Sequence, residues 1–175
     1  MAKRTKADLD AIFADNTTGE ISPEDIRDFI DSAALLGAGY FWAESATTTI
    51  NTQGVYEVAT GTVTGVLASG FTVSTPNKAL YTGSVDVDVL AIAFLSISCG
   101  NNDVVGIQFG KNGTVIPSSQ IVRTMGAGND IGAVSCSGLA ELSPNDFIQL
   151  FIGNESDITD VTIEKGHVLV FSRFK

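Results

Sequence analysis

The sequence predicts a mainly β protein, an antiparallel sandwich or barrel that follows short N-terminal α-helices. The chain has 18 glycines together with abundant Thr, Ser, Val and Ile. Turn signals recur at short intervals after about residue 40, and apolar and polar residues alternate between them. The helical crossovers that a parallel sheet requires are not visible. With 175 residues and 44% hydrophobic content, the chain can build one folded domain plus an extension.

Residues 1–40 predict two short amphipathic helices. In the second, Ser22 is a good N-cap, Asp25 completes a capping box, and Gly37 and Gly39 would end the run. Helices this short are marginal in water, so each needs an apolar surface, either on a partner or on its own downstream domain. The apolar stripes that we expect to dock are Leu9, Ile12 and Phe13 in the first helix and Ile26, Phe29 and Ile30 in the second.

Residues 41–54 form a predicted connector, either an extended strand or a linker, that includes Trp42 as a packing side chain. From residue 55 the pattern is all-β, and turn signals such as Asn112-Gly113 separate the runs. Many short strands at regular spacing favour a sandwich or a barrel. The predicted strands are residues 55–58, 71–74, 84–99, 104–109, 120–125, 131–142, 147–152, 158–163 and 167–174.

The strand at residues 84–99 is apolar on both faces in its middle. Its odd positions are all apolar, as a core face requires, but its even positions include Leu90, Ile92 and Phe94 between polar ends. Burying such a side chain is worth roughly 1.5–3 kcal/mol, so we expect these three to contact another subunit. The alternative is coverage by another segment of the same chain, such as the N-terminal helix. Three aromatic side chains could join this surface or the core: Phe147, Phe151 and Phe171.

The charge and the cysteines narrow the class of protein. A net charge of −10 argues against a nucleic-acid binder, which would gather Lys and Arg on one face. The sequence contains neither a long apolar span nor a signal peptide, so we expect synthesis in a cytosol and no contact with a membrane. Cys99 and Cys136 lie far apart in strands and are predicted to be buried free thiols, with a disulfide as the alternative if the two strands face each other.

No residue pattern indicates catalysis or metal binding. His167 is the only histidine, and no Ser lies in a Gly-x-Ser-x-Gly elbow, so we predict a protein that is not an enzyme. Carboxylate pairs at 86 and 88 and at 157 and 160 could offer oxygens to calcium, but no calcium-loop motif accompanies them. We therefore predict no metal and no cofactor.

Two parts of the chain resemble known families. The run at residues 16–32, NTTGEISPEDIRDFIDS, resembles an N-terminal segment of tailed-bacteriophage structural proteins that attaches a small domain or fibre to the virion. From about residue 44 to 175, the order of LYTG at 80–83, KNGT at 111–114 and LAELSPNDFIQLFI at 139–152 resembles the jelly-roll domain of tumour necrosis factor and complement-type globular heads, especially its phage versions. This second resemblance implies a tight homotrimer around apolar inner strands.

Together these features predict three segments: a helical anchor to the virion at 1–40, a connector at 41–54, and a jelly-roll trimerisation and display domain at 55–175. The expected function is that of a bacteriophage virion structural protein. We expect a trimeric capsid decoration (cement) protein or head fibre on the virion surface, made in the host cytoplasm and held by the major capsid protein or another virion protein. The alternative is a tail-fibre tip, or receptor-binding module, whose loops at 125–131 and 153–158 recognise a host surface carbohydrate.

Overall fold

The structure, a computed structural model, describes residues 36–128 and 130–174. The predicted N-terminal helices, with Leu9, Ile12, Phe13, Ile26, Phe29 and Ile30, lie outside the described residues. A short 3-10 turn occupies Pro117–Ser119. The strands are β1 Leu36–Trp42, β2 Ala46–Thr48, β3 Glu57–Val58, β4 Val63–Ser69, β5 Phe71–Ser74, β6 Lys78–Tyr81, β7 Val87–Ser98, β8 Val104–Lys111, β9 Thr114–Val115, β10 Ile121–Thr124, β11 Gly132–Leu142, β12 Phe147–Asn154 and β13 Val161–Phe174.

These strands form two sheets that pack face to face. Sheet 1 has the order β11-β7-β13-β1-β4, with β2 added to β13. Sheet 2 has the order β10-β8-β12-β6-β5, with β3 added to β12 and β9 to β8. All the pairings are antiparallel, as in β7 against β11, β13 against β1, and β8 against β12. The predicted antiparallel β-sandwich is confirmed.

The core lies between the sheets because each strand turns alternate side chains inward. Large side chains of β1 close one side of it: Tyr40 and Trp42 are buried, and their rings meet edge to face with centroids 5.8 Å apart. The Trp42 indole N–H donates to the carbonyl oxygen of Thr60 at 2.8 Å. The two sheets meet through Val87, Val89, Ala91, Ala93, Leu95 and Ile97 of β7 on one side and Ile107, Phe109, Ile148, Leu150 and Ile152 on the other.

The predicted segment boundaries need a correction. Leu36–Trp42, divided by the prediction between anchor and connector, is strand β1 and pairs with both β13 and β4 inside sheet 1. Ala46–Thr48, in the predicted connector, is strand β2. The sandwich therefore includes the chain from Leu36. Gly37, expected to stop the helical run, lies within β1, where an added Cβ would stand only 2.7 Å from the carbonyl oxygen of Val170.

Each predicted strand overlaps an observed one, although the runs at 158–163 and 167–174 are one continuous strand, β13. Strands β4, β6 and β9 were not predicted. In β4, the sequence VTGVLAS has no regular alternation of apolar and polar residues, and its pairing with β1 shifts register between Gly39 and Tyr40. Sequence periodicity alone does not reveal such a strand.

The sandwich has two distinct ends. At one, which we call the N-terminal end, β1 begins at Leu36 and β13 finishes opposite the start of β7. At the other, which we call the loop end, β7 connects to β8, β10 to β11 and β12 to β13. The backbone N–H of Gly128 donates to the Asn101 side chain at 3.0 Å, which joins two of these loops.

Candidate functional site

The outward face of sheet 1 is apolar across four neighbouring strands. The register aligns its side chains in three rows, each nearly perpendicular to the strands. We call this surface the apolar face. Its rows are Leu139, Leu90 and Phe171; Ser137, Ile92, Leu169 and Gly39; and Ser135, Phe94, His167 and Phe41.

Several of these side chains meet solvent in the single chain. Leu139 is 73% exposed, Phe94 45% and Leu90 38%, while Ile92 and Phe171 are half-buried. On the edge strand β4, beside the middle row, Val66 and Leu67 are 67% and 57% exposed. A continuous exposed apolar surface of this kind on a folded domain marks an interaction site.

Charged residues flank the apolar face at both ends. Toward the N-terminal end, Asp88 on β7 lies directly opposite Glu141 on β11 in the strand register. Both residues line a hollow of about 600 Å³ together with Leu90, Leu139 and Phe171. Toward the loop end, Lys165 lines a second hollow of about 400 Å³ next to His167 of the third row. The face is therefore a polar-rimmed apolar band, which is the usual composition of a protein interface.

The residues predicted to form a subunit interface are Leu90, Ile92 and Phe94, and the structure places all three on this outward face. Phe171 belongs to the face as well. Phe147 and Phe151 do not: both lie on β12 in sheet 2, where the Lys78 ammonium stands 3.9 Å from the Phe147 ring centre.

The structure adds Phe41, Leu139 and Leu169 to the site, which sequence reasoning missed. Phe41 was assigned to the predicted connector. The strands that carry Leu139 and Leu169 were predicted, but not which strands lie beside them in the sheet. The alternation along each strand could have identified these three residues, because each follows a buried neighbour, Tyr40, Gly138 or Val168, and so points to the opposite face.

The loop end is held together by a buried amide. The side chain of Asn154 is fully buried, and its Nδ2 lies 3.0 Å from Asp103 Oδ2 and 2.9 Å from Asp157 Oδ1. Its Oδ1 accepts a hydrogen bond from the backbone N–H of Ser156 at 2.8 Å. The loops at 125–131 and 153–158, considered as contact sites for a carbohydrate, lie at this end.

Two of the carboxylates considered for calcium, Asp157 and Asp160, accept hydrogen bonds from the backbone of the chain. Asp157 Oδ1 also accepts from the backbone N–H of Thr159 at 2.6 Å, and Asp160 Oδ1 accepts from that of Ile50 at 3.0 Å. Among the described residues, no group of three or more His, Cys, Asp or Glu side chains is arranged to hold a metal ion.

Both cysteines are free thiols, as predicted, with Cys136 buried and Cys99 half-buried. Burial raises the pKa of each thiol to about 12, and a hydrogen bond to Asp103 adds to the effect at Cys99. Both therefore remain protonated and poorly nucleophilic near neutral pH. In the part of the chain that the structure describes, no helix is long and apolar enough to cross a membrane.

The sequence matches no protein-family model and no curated protein. Several solved structures are similar in architecture. Murine APRIL has 12% identity, with 79% of this chain and 99% of the other covered at a TM-score of 0.45. Eiger TNF from S. frugiperda has 8% identity, with 78% and 91% covered at 0.45. The globular domain of zebrafish complement 1qA protein has 8% identity, with 79% and 96% covered at 0.43.

Proposed function

We propose that this chain is a structural protein of a tailed-bacteriophage virion: a homotrimeric capsid decoration protein or head fibre, attached to the particle through residues 1–35. The exposed apolar face of sheet 1 is the observation that supports assembly. The resemblance of residues 16–32 to a phage attachment segment supports the location. The protein's role is mechanical display, without catalysis.

Self-association follows from the free energy of burial. Covering Leu90, Phe94 and Leu139 would remove apolar side chains from water, and each fully buried side chain of this size is worth roughly 1.5–3 kcal/mol. The face extends over four neighbouring strands, so a partner can contact it along several rows of side chains at once. A second and a third copy of the chain are the partners that we propose for it.

The two ends of the sandwich suit display. In a three-fold assembly whose axis runs from the N-terminal end to the loop end, all three copies of Leu36 emerge on one side. Three attachment segments would then engage one particle together, and their effective concentration would multiply a weak individual affinity.

Sedimentation of the full-length chain and of one charged variant tests the trimer. We expect three copies at micromolar concentration for the unchanged protein, whereas Leu90→Asp should weaken assembly by roughly 100-fold or more, because each interface would bury an unpaired carboxylate. The matched control is Val122→Asp, which replaces a 52% exposed side chain on β10 of sheet 2 and should leave the trimer intact. A monomeric unchanged protein would contradict the proposal.

The second candidate function is a receptor-binding tip that recognises a host surface carbohydrate. The convergence of several loops at the loop end, opposite Leu36, favours it. The loops at 125–131 and 153–158 carry no aromatic ring on which a sugar could stack, so decoration is preferred. Binding of the purified trimer to host cells, measured against binding to capsids that lack the chain, separates the two functions.

A further inference from the structure

We propose that Asn112 is a site of spontaneous deamidation that the folded structure protects, and that the product, a carboxylate at position 112, separates the two turns that Asn112 joins. These are the turn between β8 and β9 and the turn between β11 and β12. The inference concerns a modification site in sheet 2, and it does not depend on the proposed trimer or on the proposed role in a virion.

The reactive pair is Asn112-Gly113, the only Asn-Gly pair in the sequence. Glycine has no side chain beside its backbone nitrogen, so this nitrogen can approach the carboxamide of the preceding residue. Both residues are exposed in the β8–β9 turn, so water reaches them. The pair therefore has the nucleophile, the carboxamide and the solvent that deamidation requires.

The reaction needs only water as a further reactant. The Gly113 backbone nitrogen gives its proton to solvent and attacks Asn112 Cγ, the Cγ–Nδ2 bond breaks, and ammonia leaves with a proton taken from solvent. A five-membered succinimide ring remains. Water then adds to one of the two ring carbonyls, a C–N bond of the ring breaks, and the nitrogen regains a proton. Opening at one carbonyl gives aspartate, and opening at the other gives isoaspartate.

The hairpin turn keeps the two reacting atoms apart. Asn112 and Gly113 have φ values of 52° and 82°, and Lys111 pairs with Thr114 across them, which is the pattern of a type I′ turn. In that turn the Asn112 Cβ and the Gly113 nitrogen lie on nearly opposite sides of the Asn112 Cα–C bond. A succinimide ring needs them on the same side. The turn must therefore open before the ring can form.

Contacts with the β11–β12 turn hold Asn112 in place. Its Nδ2 donates to Asp146 Oδ1 at 2.6 Å, and its Oδ1 accepts from the backbone N–H of Phe147 at 2.9 Å. Its own backbone N–H donates to the carbonyl oxygen of Phe147 at 3.0 Å. Asp146 also lies 2.7 Å from Lys111 Nζ, on the residue before Asn112. Asp146 is therefore the side chain that most directly opposes the opening of this turn.

Deamidation reverses the sign of the contact between residues 112 and 146. An aspartate at position 112 carries an acceptor where Nδ2 was a donor, so two carboxylates would face each other at the distance of the former hydrogen bond. Like charges at this separation repel. Isoaspartate would also lengthen the backbone of a two-residue loop. Either product separates the two turns.

Peptide mapping by mass spectrometry, after incubation of the full-length protein at pH 8 and 37 °C, measures deamidation at residue 112. We expect the unchanged chain to react roughly 10-fold or more slowly when folded than when unfolded in urea. In the folded state Asp146→Ala should accelerate the reaction about fivefold or more, because loss of such a contact raises the open fraction by a factor of roughly 5–30.

Two controls separate this contact from general effects. Asp86→Ala removes an exposed carboxylate at the same end of the sandwich and should leave the rate at residue 112 unchanged. Asn154→Ala removes a fully buried side chain at the loop end, so it should favour global unfolding but change the rate less than about twofold.

The effect of the product is measured on Asn112→Asp. Hydrogen exchange at the backbone N–H of residue 112, which the Phe147 carbonyl accepts, should be about fivefold faster or more in this variant than in the unchanged chain. An unchanged exchange rate would overturn the proposal that the product separates the turns.

The deamidation rates have distinct meanings. Equal rates in the folded and unfolded unchanged chain would show that the fold gives no protection, which overturns the inference. A rate for Asp146→Ala no higher than that for Asp86→Ala overturns the role of the contact. Equal acceleration by Asp146→Ala and Asn154→Ala assigns the reaction to global unfolding and overturns it as well.

Discussion

Asn77, a buried residue between β5 and β6, hydrogen-bonds to both sheets, to sheet 2 through its side chain and to sheet 1 through its backbone carbonyl. It is fully buried with φ at 42°, in the left-handed region that asparagine tolerates. Its Nδ2 donates to the backbone oxygen of Ala59, and its Oδ1 accepts from the backbone N–H of Leu150 at 2.6 Å. Its own carbonyl accepts from the Tyr40 hydroxyl at 3.0 Å. Burial raises the pKa of that hydroxyl well above its usual range, so it remains a neutral donor.

Replacement of Asn77 should be among the most destabilising single changes in the sandwich. Asn77→Ala leaves a buried carbonyl and a buried N–H without their side-chain partner, at about 1–3 kcal/mol each. We expect a total loss of about 3 kcal/mol, or roughly 6–12 °C in the melting temperature. Thermal unfolding followed by circular dichroism measures it.

The control for this change is Asn145→Ala. Asn145 also has a positive φ, 72°, but its side chain is exposed in the turn between β11 and β12. The control therefore measures the backbone cost alone, and we expect it to be under about 1 kcal/mol. Equal losses for the two variants would mean that the buried hydrogen bonds of Asn77 contribute little.

At the level of elements, a cluster of polar contacts ties together two turns at the N-terminal end. Lys111 Nζ lies 2.7 Å from Asp146 Oδ2 and donates to the backbone oxygen of Glu141 at 2.6 Å. The Asn112 side chain donates to Asp146 Oδ1 at 2.6 Å and accepts from the backbone N–H of Phe147 at 2.9 Å. The β8–β9 turn is thereby fixed to the β11–β12 turn.

This cluster should contribute stability that depends on pH. Hydrogen bonds from Lys111, Asn112 and the backbone of Ser143 lower the pKa of Asp146 from 3.8 to about 2. Because the folded-state pKa is lowered, the contribution is complete above about pH 4 and is lost as the pH falls toward 2. Asp146→Asn should therefore cost about 1 kcal/mol at pH 7, reduced because the site is near the surface, and less at pH 2.

Urea unfolding at pH 7 and pH 2 measures the difference between the Asp146→Asn and unchanged chains. Asp86→Asn is the matched control, since Asp86 is an exposed carboxylate between β6 and β7 at the same end of the sandwich. Its effect should stay within about 0.5 kcal/mol. A cost for Asp146→Asn that does not change between the two pH values would argue against the role of the charge.

The elements also differ in how far the sequence predicts them. Strand β7 was predictable because every second residue along it is apolar without interruption and because turn signals lie at its ends. Strand β1 was not, because Gly37 and Gly39 resemble helix-ending signals in sequence, whereas in sheet 1 they lie between β13 and β4. Their role depends on pairing with β13, which lies more than a hundred residues away along the chain and which no local pattern contains.

For the whole molecule, the candidate site was predicted only in part. Leu90, Ile92 and Phe94 stand out because one strand cannot bury both faces in a two-layer sandwich. Phe41 and Leu139 join them through the strand order β11-β7-β13-β1, which periodicity does not determine. The register also places the start of β1 at the end opposite the loop end, so under the proposed function attachment and display would lie on opposite sides of the molecule.

This arrangement leads to a prediction about attachment. Removal of residues 1–35 should leave the sandwich folded and trimeric, because β1 and the apolar face are intact, but binding to particles assembled without the chain should be lost. Full-length Leu90→Asp keeps the attachment segment and loses the trimer, so it should bind those particles more weakly by roughly 100-fold or more. Cosedimentation of each variant with the particles measures both effects, and Val122→Asp should bind as the unchanged protein does. If the truncated trimer still binds, attachment lies in the sandwich. If Leu90→Asp binds with full affinity, one segment is sufficient and three-fold assembly serves another purpose.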